Sequence, residues 1–207
     1  RAIVQGIPLL YGSTGETLTE KSGNLNMGIP GIMYVGSISG VIGAFLYEKS
    51  LPAGTAVNPF LAIMIPILSC LLGAGLMGLL YCFLTVTLRA NQNVTGLAMT
   101  TFGVGLGNYF GGTLIKLVGS NGETYISVKA TSDLFKTALP FAKNLGWFGT
   151  MFLSYGFLTY LAILIAVMAA LFLNKTRVGL HLRAVGENAA TADAVGINVT
   201  RYKYVST

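Results

Sequence analysis

The sequence predicts an all-α integral membrane protein, a polytopic helical bundle with about four to five membrane segments. Of its 207 residues, 53% are hydrophobic and only 10% are charged, and the mean hydropathy is +0.69. A soluble domain usually carries about 25% charged residues, so too few charges remain here to cover a water-facing surface. The charges are also clustered, and they leave four long stretches that contain none.

The four charge-free runs each have the length of a membrane-crossing helix. About 20 apolar residues cross a hydrocarbon core of about 30 Å, and the runs contain between 19 and 30 residues. We therefore predict membrane segments at 29–47, 59–88, 94–115 and 148–173. Residues 3–11 fit the tail of a further span. Because the chain opens on an arginine rather than a methionine, we expect a fragment of a longer protein.

Proline and glycine suggest how two of these runs are built. Pro66 removes a backbone donor from the second run and is expected to kink its first third. Gly103, Gly107 and Gly111 recur at four-residue spacing in the third run, and this spacing favours close packing of helices in lipid. The alternative interpretation is a broken or re-entrant helix that lines a pathway.

Two polar regions connect or follow the runs. Residues 116–146 are expected to form an extracytoplasmic connection, with a short surface helix around 132–144. Residues 174–207 are expected to form a cytoplasmic loop and the start of the next span. Their balance of acidic and basic residues is +3, against +2 for the 116–146 connection. The positive-inside rule therefore favours a cytoplasmic position for 174–207.

The sequence lacks the signatures of an enzyme, a metal site or a nucleic-acid-binding protein. It contains no phosphate-binding G-x-x-x-x-G-K-[ST] loop, and His181 is its only histidine. No block of like charges with interleaved aromatic residues is present. The four runs also contain no acid or base of the kind that marks ion-coupled pathways. If the chain moves a solute uphill, a separate ATPase is the favoured source of energy.

Three segments carry a resemblance to a known family. Residues 176–198, TRVGLHLRAVGENAATADAVGIN, resemble the cytoplasmic loop of ABC importer permeases of the branched-chain amino acid, ribose and nucleoside group. Residues 15–28, GETLTEKSGNLNMG, and 88–97, LRANQNVTGL, are similar to the nucleoside and simple-sugar branch. The similarity covers nearly the whole chain and is weakest at 116–146. These permeases are longer, and they usually carry an acid where this chain has Pro30.

The resemblance implies a single, partial transmembrane permease domain over 1–207 that crosses a bacterial inner (plasma) membrane several times. Its implied function is ATP-driven import of nucleosides, sugars or related small polar solutes. The implied partners are ABC ATPase subunits, a second permease subunit, an extracellular substrate-binding protein and membrane lipid, with no nucleic acid. The chain itself would be no enzyme and would hold no cofactor or metal, because the partner subunit uses the ATP.

Residues 187–195 are rich in alanine and predict a short helix, and Gly196 suits the left-handed position that ends a helix. The resemblance implies that this is the coupling helix, which docks into a groove on the ATPase and transmits its motion. A plain surface loop is the alternative. The predicted ATPase-coupling residues are Arg183, Ala184, Gly186, Glu187, Asn188, Ala190, Asp193, Ala194 and Gly196.

Polar residues in or beside the runs are candidates for a substrate path, with helix–helix hydrogen bonding as the alternative role. They are Asn24, Asn26, Ser37, Ser39, Thr100, Thr101 and Asn108. Two other functions remain open for the whole chain. One is an ATP-independent channel or secondary carrier, and the other is a membrane scaffold that recruits a soluble partner through 174–207.

Overall fold

The computed structural model describes residues 2–51, 57–119, 128–136 and 155–207, and the regular elements in these ranges are helices. They are α1 (Ala2–Lys21), α2 (Ile29–Ser50), α3 (Pro59–Cys82), α4 (Gln92–Gly119), α5 (Lys129–Lys136), α6 (Phe157–Lys175), α7 (Arg177–Glu187), α8 (Ala189–Ala194) and α9 (Val199–Ser206). A π-helical turn, Phe83–Thr87, continues α3.

The described helices confirm the prediction of an all-α membrane protein. Three of them are long and apolar enough to cross a membrane: α2, α3 together with its π turn, and α6. Helix α4 covers the predicted run at 94–115 and is continuous from Gln92 to Gly119, so the broken-helix interpretation is not supported there. The total of four to five spans stays a prediction.

Several predicted boundaries differ from the structure. Helix α1 continues past residue 11 to Lys21, so its charged second half is helical too. Helix α5 begins at Lys129, three residues before the predicted surface helix, and residues 137–144 lie outside the described ranges. Residues 148–154 of the predicted last span also lie outside them, and α6 is described from Phe157.

Local chemistry explains where the apolar helices begin. The side chain of Asn58 accepts a hydrogen bond from the backbone N–H of Phe60 at 3.1 Å, and Pro59 occupies the first turn of α3. Pro30 takes the equivalent place in α2. A proline lacks the N–H that a first helical turn leaves unpaired, so the departure from the family at Pro30 suits a helix start.

Helix α2 packs along both α3 and α4, and glycines permit the close approach. A Cβ atom added at Gly103 of α4 would lie 2.6 Å from the carbonyl oxygen of Gly31 in α2, and one added at Gly107 would meet the ring of Tyr34. A Cβ atom at Gly40 would lie 3.3 Å from that of Cys70 in α3. Helix α1 packs along α6. The predicted glycine packing is therefore present at Gly103 and Gly107.

The outward faces of the long helices are strongly apolar. Leu71, Leu72 and Leu76 of α3 are between 62% and 69% exposed, and α6 presents a similar surface. The buried core cluster consists of Met77, Tyr81 and Met99. An apolar surface of this extent suits contact with lipid or with other membrane helices rather than with water.

The bundle has two distinct ends. Helices α7, α8 and α9 follow the last residue of α6 and lie at one end, which we call the α8 end. Helix α5 lies at the other, the α5 end, where the backbone N–H of Thr131 donates to the carboxylate of Glu48 at 2.8 Å. The ring of Phe135 stacks there on Phe157, the first residue of α6, with centroids 5.7 Å apart.

Candidate functional site

Helix α8 is short, but its ends are firmly defined. The side chain of Asn188 accepts a hydrogen bond from the Thr191 N–H at 3.1 Å and caps the first turn. At the other end, Gly196 has a φ of +87° and donates its N–H to the Asp193 carbonyl at 2.9 Å. The Ile197 N–H donates to the Ala192 carbonyl at 3.0 Å. These two bonds form a Schellman motif, so the predicted left-handed glycine is present.

The predicted extent of this helix was wrong at its start. Residues 177–187 form a separate helix, α7, and Glu187 is its last residue. Asn188 ends α7 by donating its N–H to the Ala184 carbonyl at 3.0 Å, and the same residue caps α8. The two helices therefore meet at a corner that one asparagine defines.

Most of the predicted coupling residues lie on the surface. Ala192 is the buried residue of α8, at 4% exposure, while Ala190, Asp193 and Ala194 are exposed on its outer side. The other predicted members with exposed side chains or backbone are Arg183, Ala184, Glu187, Asn188 and Gly196. Small alanine side chains leave α8 a shallow surface with a single charge, that of Asp193.

Gly186 has a different position from the rest of this set. A Cβ atom added there would collide with the carbonyl oxygen of Lys21 and lie 3.1 Å from the backbone nitrogen of Gly23. Gly23 itself has a φ of +83°, which an L side chain rarely adopts. Gly186 therefore allows α7 to pack on the end of α1, and sequence reasoning did not foresee this contact.

Hydrogen bonds connect the α8 end to the long helices. The hydroxyl of Thr19 in α1 donates to the Ser206 carbonyl in α9 at 3.2 Å, and the hydroxyls of Thr87 and Tyr204 share a short hydrogen bond. Tyr202 of α9 contacts His181 of α7 at 3.0 Å between hydroxyl and Nδ1. Helix α9 thus joins α7 to α1 and to the end of α3.

Two predicted path residues, Asn24 and Asn26, lie at the α8 end in the connection between α1 and α2. Asn24 is 1% exposed, and its side-chain oxygen accepts from the amide of Gln92 at 3.3 Å. Its amide donates to the Thr207 hydroxyl at 3.4 Å. Asn26 is 4% exposed, and its backbone N–H donates to the Glu16 carboxylate at 3.0 Å. Both asparagines tie together the connection between α1 and α2.

Glu16 is the acid of this network, and its two carboxylate oxygens differ in their hydrogen bonding. Its Oε1 atom accepts the Asn26 N–H, whereas its buried Oε2 atom has no hydrogen-bond partner among the described residues. Burial raises the pKa of the Glu16 carboxyl, and nearby Glu20 raises it further, although the bond from Asn26 lowers it. The charged form is therefore disfavoured relative to an exposed glutamate.

The remaining path candidates form hydrogen bonds within their own helices or between neighbouring segments. The hydroxyls of Ser37, Ser39 and Thr101 donate to carbonyls one turn earlier in their own helices. Thr100 donates to the Met27 carbonyl at 2.9 Å, and Asn108 accepts from the Tyr34 hydroxyl at 2.8 Å. Thr100 and Asn108 therefore link α4 to α2 and to the connection that precedes it. Tyr34 belongs to this link and was missed, since an aromatic residue in an apolar run carries no distinguishing signal.

Comparisons with known proteins agree with this architecture. Residues 1–207 match the family described as branched-chain amino acid transport system, permease component. The chain is 28% identical over 204 residues to a guanosine ABC transporter permease protein of Bacillus subtilis, and the match covers 98% of this chain and 60% of that relative. It is 32% identical over 203 residues to a nucleoside ABC transporter permease protein of Lactococcus lactis, with coverage of 98% and 59%.

A more distant relative is a putative glucose ABC transporter permease protein of Haloferax volcanii. It is 27% identical over 202 residues, and the match covers 96% of this chain and 54% of the relative. The chain thus spans about three-fifths of the length of the first two relatives. No solved structure matches the chain significantly.

Proposed function

The chain belongs to the family of branched-chain amino acid transport system permease components, and from this premise we propose that it acts as the membrane-spanning permease subunit of an ATP-driven ABC importer. We propose nucleosides or related small polar solutes as its cargo. Two relatives that each match 98% of this chain are named as guanosine and nucleoside permeases, which supports this solute class. A relative named as a putative glucose permease keeps sugars within the same class.

One observation carries the proposal beyond family membership. Helix α8 presents small, exposed side chains at a place that is rigidly capped at both ends and hydrogen-bonded through α9 to α1 and α3. A docking element needs these two properties, because it must fit a groove and must also transmit displacement to the spans. A plain surface loop requires neither the Schellman motif nor the bonds to the long helices.

The proposed complex supplies the ATPase activity, for which this sequence contains no phosphate-binding loop. ATP would be hydrolysed by ABC ATPase subunits at the α8 end, which we place in the cytoplasm of a bacterial cell. A second permease subunit and an extracellular substrate-binding protein would complete the importer in the inner membrane. In this proposal the chain is a multi-pass transport subunit without catalytic residues, cofactor or metal.

Thr100 and Asn108 are the members of the candidate path that we retain as positioning residues of the transport pathway. Both face α2 or the connection before it, where movement of α4 against α2 would break or make their hydrogen bonds. Asn24 and Asn26 would instead act at the cytoplasmic end, where they hold the turn between α1 and α2.

The docking role can be tested by introducing a bulky charged residue on α8. Ala190→Arg would place an unpaired guanidinium inside the groove of the ATPase, and burying an unpaired charge costs several kcal/mol. Since about 1.4 kcal/mol corresponds to a tenfold change in an equilibrium constant, association should weaken by orders of magnitude. Co-purification of the ATPase with the full-length permease measures this effect.

The matched control is Ala190→Ser, which keeps a small side chain at the same position. This variant should retain the ATPase. Arginine is a good helix former and Ala190 is exposed, so the amount of folded permease should be the same for both variants. An Ala190→Arg permease that retains its ATPase as well as the wild type does would contradict the docking role.

A further inference from the structure

A groove of about 620 Å³ runs between α8 and the connection from α3 to α4. Arg89 forms one wall, and Ala189, Ala190 and Asp193 of α8 form the other. Residues 196–200, which lead from α8 into α9, close one side. The outer surface of α8 is therefore continuous with a second segment of chain that is distant in sequence.

Arg89 adopts an unusual backbone conformation for an arginine. Its φ is +52°, and it is the one non-glycine residue with positive φ in the described part of the chain. The turn is held by hydrogen bonds from Leu88 N–H to the Phe83 carbonyl and from Ala90 N–H to the Leu84 carbonyl, both 3.0 Å long. Glycine or asparagine suits this left-handed position best. An arginine that is strained in this way points to a function for its side chain.

The guanidinium of Arg89 is also available for a partner. Arg89 is exposed, and within residues 2–51, 57–119, 128–136 and 155–207 it forms no ion pair, not even with Asp193 in the same groove. A cation beside a shallow alanine surface is complementary to a protein segment that carries a carboxylate. A phosphate, free or on a lipid headgroup, fits less well, because Arg89 is the one basic residue in the described lining of the groove and no second cation is there to balance the higher charge.

We propose that Arg89 is a second anchor for the ATPase, pairing with a carboxylate on the segment of the ATPase that covers Ala190. This inference rests on the proposed function, because it assumes that the ATPase docks on α8. It adds a direct contact between the ATPase and the connection from α3 to α4. Movement of the ATPase would then reach α3 and α4 without passing through α9.

The experiment measures the affinity of the ATPase for full-length permease in detergent or nanodiscs, using the ATPase that co-purifies with the wild type. Arg89→Gly removes the charge and suits the left-handed backbone, so the permease should fold normally. Hydrogen bonds to charged groups contribute enough that the affinity should fall about 10- to 100-fold. Arg89→Lys should keep most of the affinity, and Arg89→Glu should lose more than Arg89→Gly does.

Two comparisons distinguish an ion pair at Arg89 from general electrostatic attraction and from docking through α8 alone. Arg177→Ala removes an exposed cation from α7, outside the groove, and should leave the affinity within about twofold of wild type, as usual for a screened surface charge. Equal losses for Arg89→Gly and Arg177→Ala would overturn the inference in favour of general electrostatic attraction. If Arg89→Gly binds normally while Ala190→Arg does not, the inference fails and the proposed docking on α8 stands. If neither variant weakens binding, both fail.

Discussion

Glu16 is a carboxylic acid whose surroundings change its chemistry relative to an exposed glutamate. One carboxylate oxygen accepts the Asn26 N–H, and the other is buried and has no hydrogen-bond partner in the part of the chain that the structure describes. Burial, the largest influence, raises its pKa above the ordinary value of 4.5. A folded-state pKa that is raised means that folding favours the protonated form. The corresponding stabilisation is complete below the ordinary pKa and is lost as the pH rises through the raised folded value.

We expect Glu16→Gln to remove this pH dependence. Glutamine can still accept the Asn26 N–H, but it carries no charge to desolvate. The melting temperature of the variant relative to wild type should therefore rise as the pH increases above the ordinary glutamate pKa of 4.5, because wild-type Glu16 loses its proton above that value. Thermal unfolding of the detergent-solubilised protein measures this difference, and Glu187→Gln, which removes an exposed carboxylate from the same end of the bundle, controls for the loss of one negative charge. A difference in melting temperature between Glu16→Gln and wild type that stays constant as the pH rises would contradict a raised pKa at Glu16.

At the scale of elements, the helices that could be predicted from the sequence are those whose stabilising features lie within one short stretch of chain. The alanine-rich α8 was predicted because its composition and the glycine that ends it, Gly196, are local features, whereas the cap at Asn188 was not foreseen. Helix α7 was not foreseen, although Thr176 caps it through the Gly179 N–H at 3.0 Å. Its packing on α6 and α1 depends on Gly179 and Gly186, whose contacts are tertiary. Such contacts leave no pattern in a local stretch of sequence.

The contact between α2 and α4 can be tested directly, by asking whether their close packing requires glycine at position 103. Gly103→Leu would force a side chain against the Gly31 backbone, which cannot move aside as a flexible side chain can. Overpacking costs about 1–3 kcal/mol or more, so the melting temperature and the yield of folded protein should fall.

Gly105→Leu is the matched control, since it makes the same change on the same helix. A Cβ atom at Gly105 would meet no atom of the described residues within 4 Å. This variant should behave like the wild type in the same thermal unfolding experiment. Equal damage from both substitutions would mean that leucine in α4 is harmful for another reason than the contact with Gly31.

At the scale of the whole molecule, the predicted coupling residues lie together in the structure, whereas the predicted path residues do not all lie together. The coupling residues form one contiguous segment, so the sequence alone could group them, and apart from Gly186 they are exposed together. The path candidates were grouped by polarity alone. The structure brings Asn24, Asn26 and Thr100 to the turn before α2, which folds back under α9 and the start of α4, whereas Asn108 lies further along α4 against Tyr34 of α2. Only the tertiary arrangement determines which polar residues meet.

The two ends of the bundle should face opposite sides of the membrane. Ala130→Cys lies on α5 and Thr191→Cys on α8, and both positions are exposed. In a full-length background in which all native cysteines, Cys70 and Cys82 among them, are replaced by alanine, a membrane-impermeant maleimide added to intact cells should label the Ala130→Cys variant only. Labelling of Thr191→Cys should require permeabilised cells. If both variants react from the same side, the arrangement of α5 outside and α8 inside is wrong.

The most direct test of the central claim is uptake of labelled guanosine into vesicles that contain the full-length permease, its ATPase and its binding protein. If the chain is the permease subunit of an ABC importer, uptake should require both the ATPase and ATP, and Ala190→Arg should abolish it while Ala190→Ser does not. Guanosine uptake that proceeds equally without the ATPase and ATP would identify a channel or secondary carrier. No uptake of guanosine, other nucleosides or sugars by the complete, ATP-hydrolysing complex would contradict the transport function and favour a scaffold.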